Sequence, residues 1–321
     1  MSILGFAKRA APATDLGAGV FGKVISCGDF ISAGEYSPAA AHLSRWLEQG
    51  VGWAATQAKE AWESVAFTTP RSFLFRPERS EYADRVIFGL LQPSRDSVGR
   101  YFPLAIYSEL SLGTDLDGYS VLPLVIGDFL ESAASILDQA ARGADPRGLL
   151  QQLPRGVAPR IAGAKSEFAG WAANTAVSTV FAAFFADEST ARGYNVLCSL
   201  HGIVAPFAGH ELPDTPLSLR LPLGSAGIAG AVFWIELVRK ILRWKRAVPV
   251  CFWHAYVDSG QLVIPLGEPS MRSLLGLWVA NELDDAHCDL TVGDAAYGQL
   301  PDAISTALSN DVSVAKLLTV L

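Results

Sequence analysis

Val86-Ile87-Phe88-Gly89-Leu90-Leu91 is an unbroken apolar run. A strand with one face in water alternates polar and apolar residues, because successive side chains point to opposite faces. A run without alternation predicts a central strand over Arg85–Gln92, covered on both faces. Ser72–Phe75 and Phe102–Ser108 predict neighbouring strands. The covering helices are legible too. Ser37-Pro38 offers a Ser N-cap and a Pro at the first helical position. Leu43, Trp46, Leu47 and Val51 then repeat at i, i+3, i+4 and i+8, a core-facing stripe. Gly50 and Gly52 predict a break and a second helical piece through Trp62. A helix over Val121–Arg142 closes the unit.

Ala18–Val24 reads as a first strand, ending at the turn Ser26-Cys27-Gly28-Asp29. Residues 1–15 read as a tail. Pro146, Gly148, Pro154, Gly156 and Pro159 cluster, which predicts a boundary between Gly143 and Pro159. The expected organisation is an α/β protein of the α+β type. Residues 15–150 form an N-terminal domain and residues 151–321 a helix-rich α/β domain. The second half predicts helices over Ala164–Ala186, Tyr194–Phe207 and Ile228–Arg246. It predicts strands over Leu217–Leu221, Val248–Val257 and Leu262–Leu266. A helix opens at Pro269-Ser270, and two short ones follow Pro301 and Asp311.

The chain has 321 residues, half of them hydrophobic and 18% charged, so a sizeable core is available. A net charge of -7 provides no basic footprint and excludes a nucleic-acid partner. Cys27, Cys198, Cys251 and Cys288 follow no framework spacing, which fits reduced thiols in the cytoplasm. Met1–Thr14 lacks the apolar run of a signal peptide. Mean hydropathy is positive. The best membrane candidate, Ala226–Leu242, contains Glu236, Arg239 and Lys240 and falls short of ~20 apolar residues. It reads as a buried helix, and no membrane insertion is expected.

Several patterns invite chemistry. Gly17 to Lys23 satisfies G-x-x-x-x-G-K, and its first six residues satisfy G-x-G-x-x-G. A phosphate cradle needs a strand before it and a helix N-terminus after it. Here the β-like Val20–Ile25 lies within the pattern and Val24 replaces the Ser or Thr. Cys198-x-x-His201 and Cys251-x-x-His254 suggest zinc, but residues three apart on a strand point to opposite faces. No metal or other cofactor is expected. The acidic stretch from Asp284-Asp285 to Asp289 and Asp294 reads as a solvated loop. The tryptophans, Trp46, Trp53, Trp62, Trp234, Trp244, Trp253 and Trp278, read as packing residues.

Two polar motifs stand out. One is Gly22-Lys23-Val24-Ile25-Ser26-Cys27-Gly28-Asp29-Phe30. The other runs from Ser94-Arg95-Asp96-Ser97-Val98-Gly99-Arg100 to Tyr101-Phe102-Pro103-Leu104. Gly28 and Gly99 permit tight turns at strand ends. Such turns bring flanking charges to the sheet rim, so Asp29 with Arg100, or Lys23 with Asp96, are expected ion pairs. Lys23 or Arg95 is the expected exposed recognition residue.

Together these motifs resemble the TagF/ImpM family of type VI secretion accessory proteins. That family carries G-K-x-P-x-x-G-D-F and, later, S-x-D-x-x-G-R-x-F-P-L. The resemblance covers Gly22, Lys23, Gly28, Asp29 and Phe30, then Ser94, Asp96, Gly99, Arg100, Phe102, Pro103 and Leu104. Ile25 stands where the family has Pro. The resemblance implies a cytoplasmic, non-catalytic protein of a Gram-negative bacterium, a post-translational repressor of type VI secretion working through a forkhead-associated scaffold. Two alternatives stay open: a nucleotide-dependent enzyme using Gly17–Lys23, and a structural subunit of the secretion apparatus.

Overall fold

The computed structural model describes residues 12–76, 84–113, 118–186, 190–210, 217–243, 250–254, 260–279 and 287–321. Its first half contains β1 (Thr14–Gly22), β2 (Ile31–Gly34), α1 (Pro38–Gln57), α2 (Lys59–Ser64), β3 (Arg71–Phe75), β4 (Arg85–Gln92), β5 (Leu104–Ser111), α3 (Leu122–Val125) and α4 (Gly127–Ala141). Its second half contains α5 (Ile161–Asn174), α6 (Val177–Phe185), α7 (Ala191–Val204), β6 (Ser218–Pro222), α8 (Gly227–Leu242), β7 (Cys251–His254), β8 (Gln261–Pro265), α9 (Ser273–Gly276), β9 (His287–Asp289), α10 (Asp302–Ser309) and α11 (Val314–Val320).

β4 is buried on both faces, as its apolar run requires. Val86, Phe88 and Leu90 point into one core with Phe129 and Leu130 of α4. Ile87 and Leu91 point into the other with Leu43, Trp46 and Leu47 of α1. The Phe88 and Phe129 rings meet edge-on at 5.0 Å.

The strands form one nine-stranded sheet in the order β2-β1-β5-β4-β3-β7-β8-β6-β9. All neighbours are antiparallel except β6 and β9. The α/β class is as expected, but the halves 15–150 and 151–321 share this sheet through the pairing of Phe73 with Phe252. One core cluster likewise joins α4 of the first half to α8 and α11 of the second. The presumed boundary segment is docked: the Asp15 carboxylate accepts hydrogen bonds from the Val157 and Ala158 backbone N–H groups. Leu153 and Val157 are buried. Proline and glycine mark irregular backbone here, not a gap between cores.

Ser37 caps α1, its hydroxyl accepting from Ala40 N at 3.2 Å. The helix continues through Gly50 and Gly52 and breaks only at Ala58. Two internal glycines cost about 1 kcal/mol each. Fully burying Leu43, Trp46 and Leu47 returns ~1.5–3 kcal/mol per side chain, so burial wins. Gly50 also lets α9 approach, because a Cβ there would lie 2.7 Å from Leu274.

Other expectations need correction. β1 begins at Thr14 and ends at Gly22, and β2 was not anticipated. The helix predicted over Ala164–Ala186 is split at Thr175-Ala176, where Ala176 bridges to Ser313 and Val177 N donates to Val312 O. The acidic loop contributes β9, parallel to β6. Asp284, Asp285 and Trp244 lie outside the described residues, as do residues 1–11.

Candidate functional site

The two motifs meet where β1 ends and β5 begins. Gly22 closes β1 with φ +134°, and a Cβ there would lie 2.1 Å from Pro103 O. That contact delivers Lys23 to the second motif. The second motif folds as a tight loop. Phe102 N donates to Ser94 O, Asp96 N to Arg100 O and Gly99 N to Asp96 O, while Gly99 takes φ +91°. Arg95 and Tyr101 form an isolated bridge across it. Ser97 N donates to Cys27 O at 3.0 Å and ties this loop to the first turn.

Asp96 is the hub, and its side chain is 0% exposed. Oδ1 accepts from Val98 N at 3.0 Å and Arg100 N at 2.8 Å. Oδ2 accepts from Lys23 Nζ at 2.9 Å and Arg100 Nε at 2.7 Å. The far end of the Arg100 guanidinium donates to Gly28 O. Burial alone would push the Asp96 carboxyl up. The bonds from Lys23, from Arg100 through backbone and side chain, and from Val98 outweigh it and hold the carboxyl well below the usual range.

Of the two ion pairs expected, Lys23 with Asp96 forms. Asp29 with Arg100 does not: Arg100 takes Asp96 and Gly28 instead. Asp29 is exposed, its N–H points to Cys27 Sγ at 3.5 Å, and it makes no ion pair among the described residues. Lys23 is only 14% exposed, so it is a structural cation rather than an outward-facing one. Arg95 is exposed, with its guanidinium 5.9 Å from the Phe67 ring centroid. Phe30 packs edge-on to Phe102 at 4.9 Å yet stays 44% exposed. Phe21 links Phe30 to Tyr36, and Val98, 72% exposed, sits beside Gly28. Ser94, Phe102 and Pro103 are buried beneath this rim.

Gly17 to Gly22 lies inside β1, hydrogen-bonded to β5 and, from Gly19, to β2. Those backbone groups serve the sheet, and no phosphate cradle forms there. Cys251 packs into the α8-side core, where burial pushes its thiol up to about 12, while His254 lines a cleft on the other face. The second C-x-x-H pair is therefore split. Among the described residues no cluster of three His, Cys, Asp or Glu could hold a metal. Sequence reading missed Arg71 and Arg220 in that cleft. The available signal was a lone arginine inside the apolar run Leu219-Arg220-Leu221.

The fold and this rim define an α/β protein whose two Gly-containing turns are locked by one buried carboxylate. Residues 19–155 match the family model of the TagF N-terminal domain, type VI secretion system-associated, and hold the whole cluster. That stretch, less than half of the chain, is thus similar to the N-terminal domain of the type VI secretion system-associated TagF proteins. The chain is also similar to PA0076 from Pseudomonas aeruginosa PAO1, known from a crystal structure, with 29% identity and a TM-score of 0.35. That match covers 43% of this chain and 63% of the other. No curated protein matches the chain.

Proposed function

We propose that this protein is a cytoplasmic regulator of a bacterial type VI secretion system, acting by protein–protein contact and without catalysis. In this reading it represses secretion after translation and docks on a forkhead-associated scaffold. The observation that supports it most is the rim. Phe30, Val98 and Arg95 are exposed on or beside the turns that Asp96 ties together, and exposed Tyr36 joins them through Phe21. Exposed apolar and arginine side chains on a pre-organised backbone suit a protein interface, because little ordering entropy remains to be lost on binding. Among the described residues no helix is long and apolar enough to cross a membrane.

The test pairs Arg95→Glu and Val98→Asp with capture of the scaffold and a secretion assay in cells lacking the native gene. Both variants should melt like the parent, lose capture and release secretion. Undiminished capture by both folded variants would reject this face. Unchanged secretion on deleting the gene would reject the regulatory role.

A further inference from the structure

The sheet face under α1 and α9 holds a cleft of about 280 Å³ that contains none of the motif residues. Sheet register builds its floor. His254 pairs with Gln261, and Phe252 with Val263, which in turn pairs with Arg220. Ser72 pairs with Trp253, which places Arg71 beside His254. Gly276, Leu277 and Trp278 form a wall, with Trp278 Nε1 donating to Thr69 O at 3.0 Å.

The cleft gathers basic groups with too few acceptors. Arg220 is 3% exposed, and its Nη2 donates to Gly276 O at 2.9 Å. Its Nε is buried with no hydrogen-bond partner. A buried, unmade donor on a charged group is costly, and native structures rarely keep one without a purpose. Arg71 spends its Nε on Leu277 O at 2.7 Å. Burial first, then the charge of Arg220, push the Arg71 guanidinium down to about 10. Burial and Arg71 also lower His254. Asp289, opposite Arg220 on β9, offsets part of this charge. It makes no ion pair with Arg220 among the described residues, and its Oδ1 accepts from Thr291 N and Oγ1.

We propose that this cleft is an oxyanion-binding site, which takes the phosphate or carboxylate group of a small ligand between Arg71 and Arg220. Two guanidiniums present planar donor forks that match such an anion in geometry as well as charge. Phe252 and Trp278 offer apolar surface to the rest of the ligand. The bound anion satisfies the stranded Nε and relieves the repulsion between the arginines.

Calorimetry on the full chain tests this with inorganic phosphate and with citrate in turn, chloride holding ionic strength constant. At least one should bind saturably at one site per chain, and which one binds separates phosphate from carboxylate chemistry. Arg220→Gln should weaken binding by about tenfold or more. Gln261→Glu places a carboxylate in the cleft; it should raise the melting temperature in chloride and abolish the anion response. Because that variant gains stability, it decides the matter even if Arg220→Gln fails to fold. No saturable binding of either anion, or equal binding by wild type and Gln261→Glu, overturns the proposal.

Discussion

Lys23 Nζ stands 2.9 Å from Asp96 Oδ2, although the residues are 73 positions apart. The pair closes the gap between two turns, and Asp96 adds two backbone N–H bonds within its own loop. A carboxylate with no exposed surface and four donors organises backbone, not just charge. That separates the motif residues into those that hold the turns and those that face outward.

Asp96→Ala and Asp29→Ala should therefore differ sharply, though both remove an aspartate from a motif. The first leaves part-buried Lys23 and two part-buried N–H groups without their acceptor and should cost about 3 kcal/mol. The second removes an exposed carboxylate with no ion pair and should stay within ~0.5 kcal/mol. Urea denaturation of both variants measures the difference. Equal losses would contradict the hub assignment.

Asp96 also sets an acid sensitivity. Its folded pKa lies below its unfolded value of ~3.9, so its stabilisation is fully present above that value. The stabilisation fades as pH falls through the folded pKa. Asp145 is shifted the same way by Arg147, but both are about half exposed, and the pair contributes little. Melting temperatures of wild type and Asp96→Asn should stay well separated from pH 7 to about pH 5 and converge below ~4. A constant gap down to about pH 2 would mean that Asp96 is not held ionised by these bonds.

The turn glycines are not equivalent. A Cβ at Gly22 would lie 2.1 Å from Pro103 O and 2.8 Å from Leu104 Cα, both backbone atoms that resist displacement. Gly22→Ala should cost more than about 4 kcal/mol or prevent folding. At Gly99 φ is +91°, but no atom lies within 4 Å of the added Cβ. Gly99→Ala should carry backbone strain alone, ~1–2 kcal/mol. Denaturation midpoints test the order. A milder effect at Gly22 would refute the close approach.

Local patterns were legible in the sequence; distant pairings were not. The apolar run at Val86–Leu91 and the Ser37-Pro38 cap are local, and both elements form where periodicity and capping place them. Lys23–Asp96 was also within reach, since opposite charges sat beside turn glycines. Arg100 fooled the reading because Asp96, four residues away, outcompetes Asp29 across the gap. β9 was hidden because a three-residue strand paired to β6 has no period of its own. Arg220 was not singled out within its predicted strand, since nothing local shows that α9 covers it. The joined sheet rests on Phe73 meeting Phe252, a contact that no window of neighbouring residues contains.

That junction makes the last prediction. A chain ending at Gly156 keeps all of the family-matched stretch but loses β7, the outer partner of β3. β3 is Arg71-Ser72-Phe73-Leu74-Phe75, with Phe73 and Leu74 fully buried. Truncation would turn it into a bare apolar edge, a template for pairing with other chains. α1 would suffer as well: Trp46 packs on Phe252 with ring centroids 5.2 Å apart and donates through Nε1 to Ser270 O at 2.9 Å. The α4 face would lose the partners that α8 provides in the shared core. A 1–156 fragment should be insoluble, or soluble only as an aggregating species that binds hydrophobic dyes and lacks a cooperative melt. In the full chain, limited proteolysis should spare 143–159, because Asp15 and the buried Leu153 and Val157 hold that segment down. A monomeric 1–156 fragment with a sharp thermal transition would show that the first half completes its own core, and the shared-sheet argument would fail.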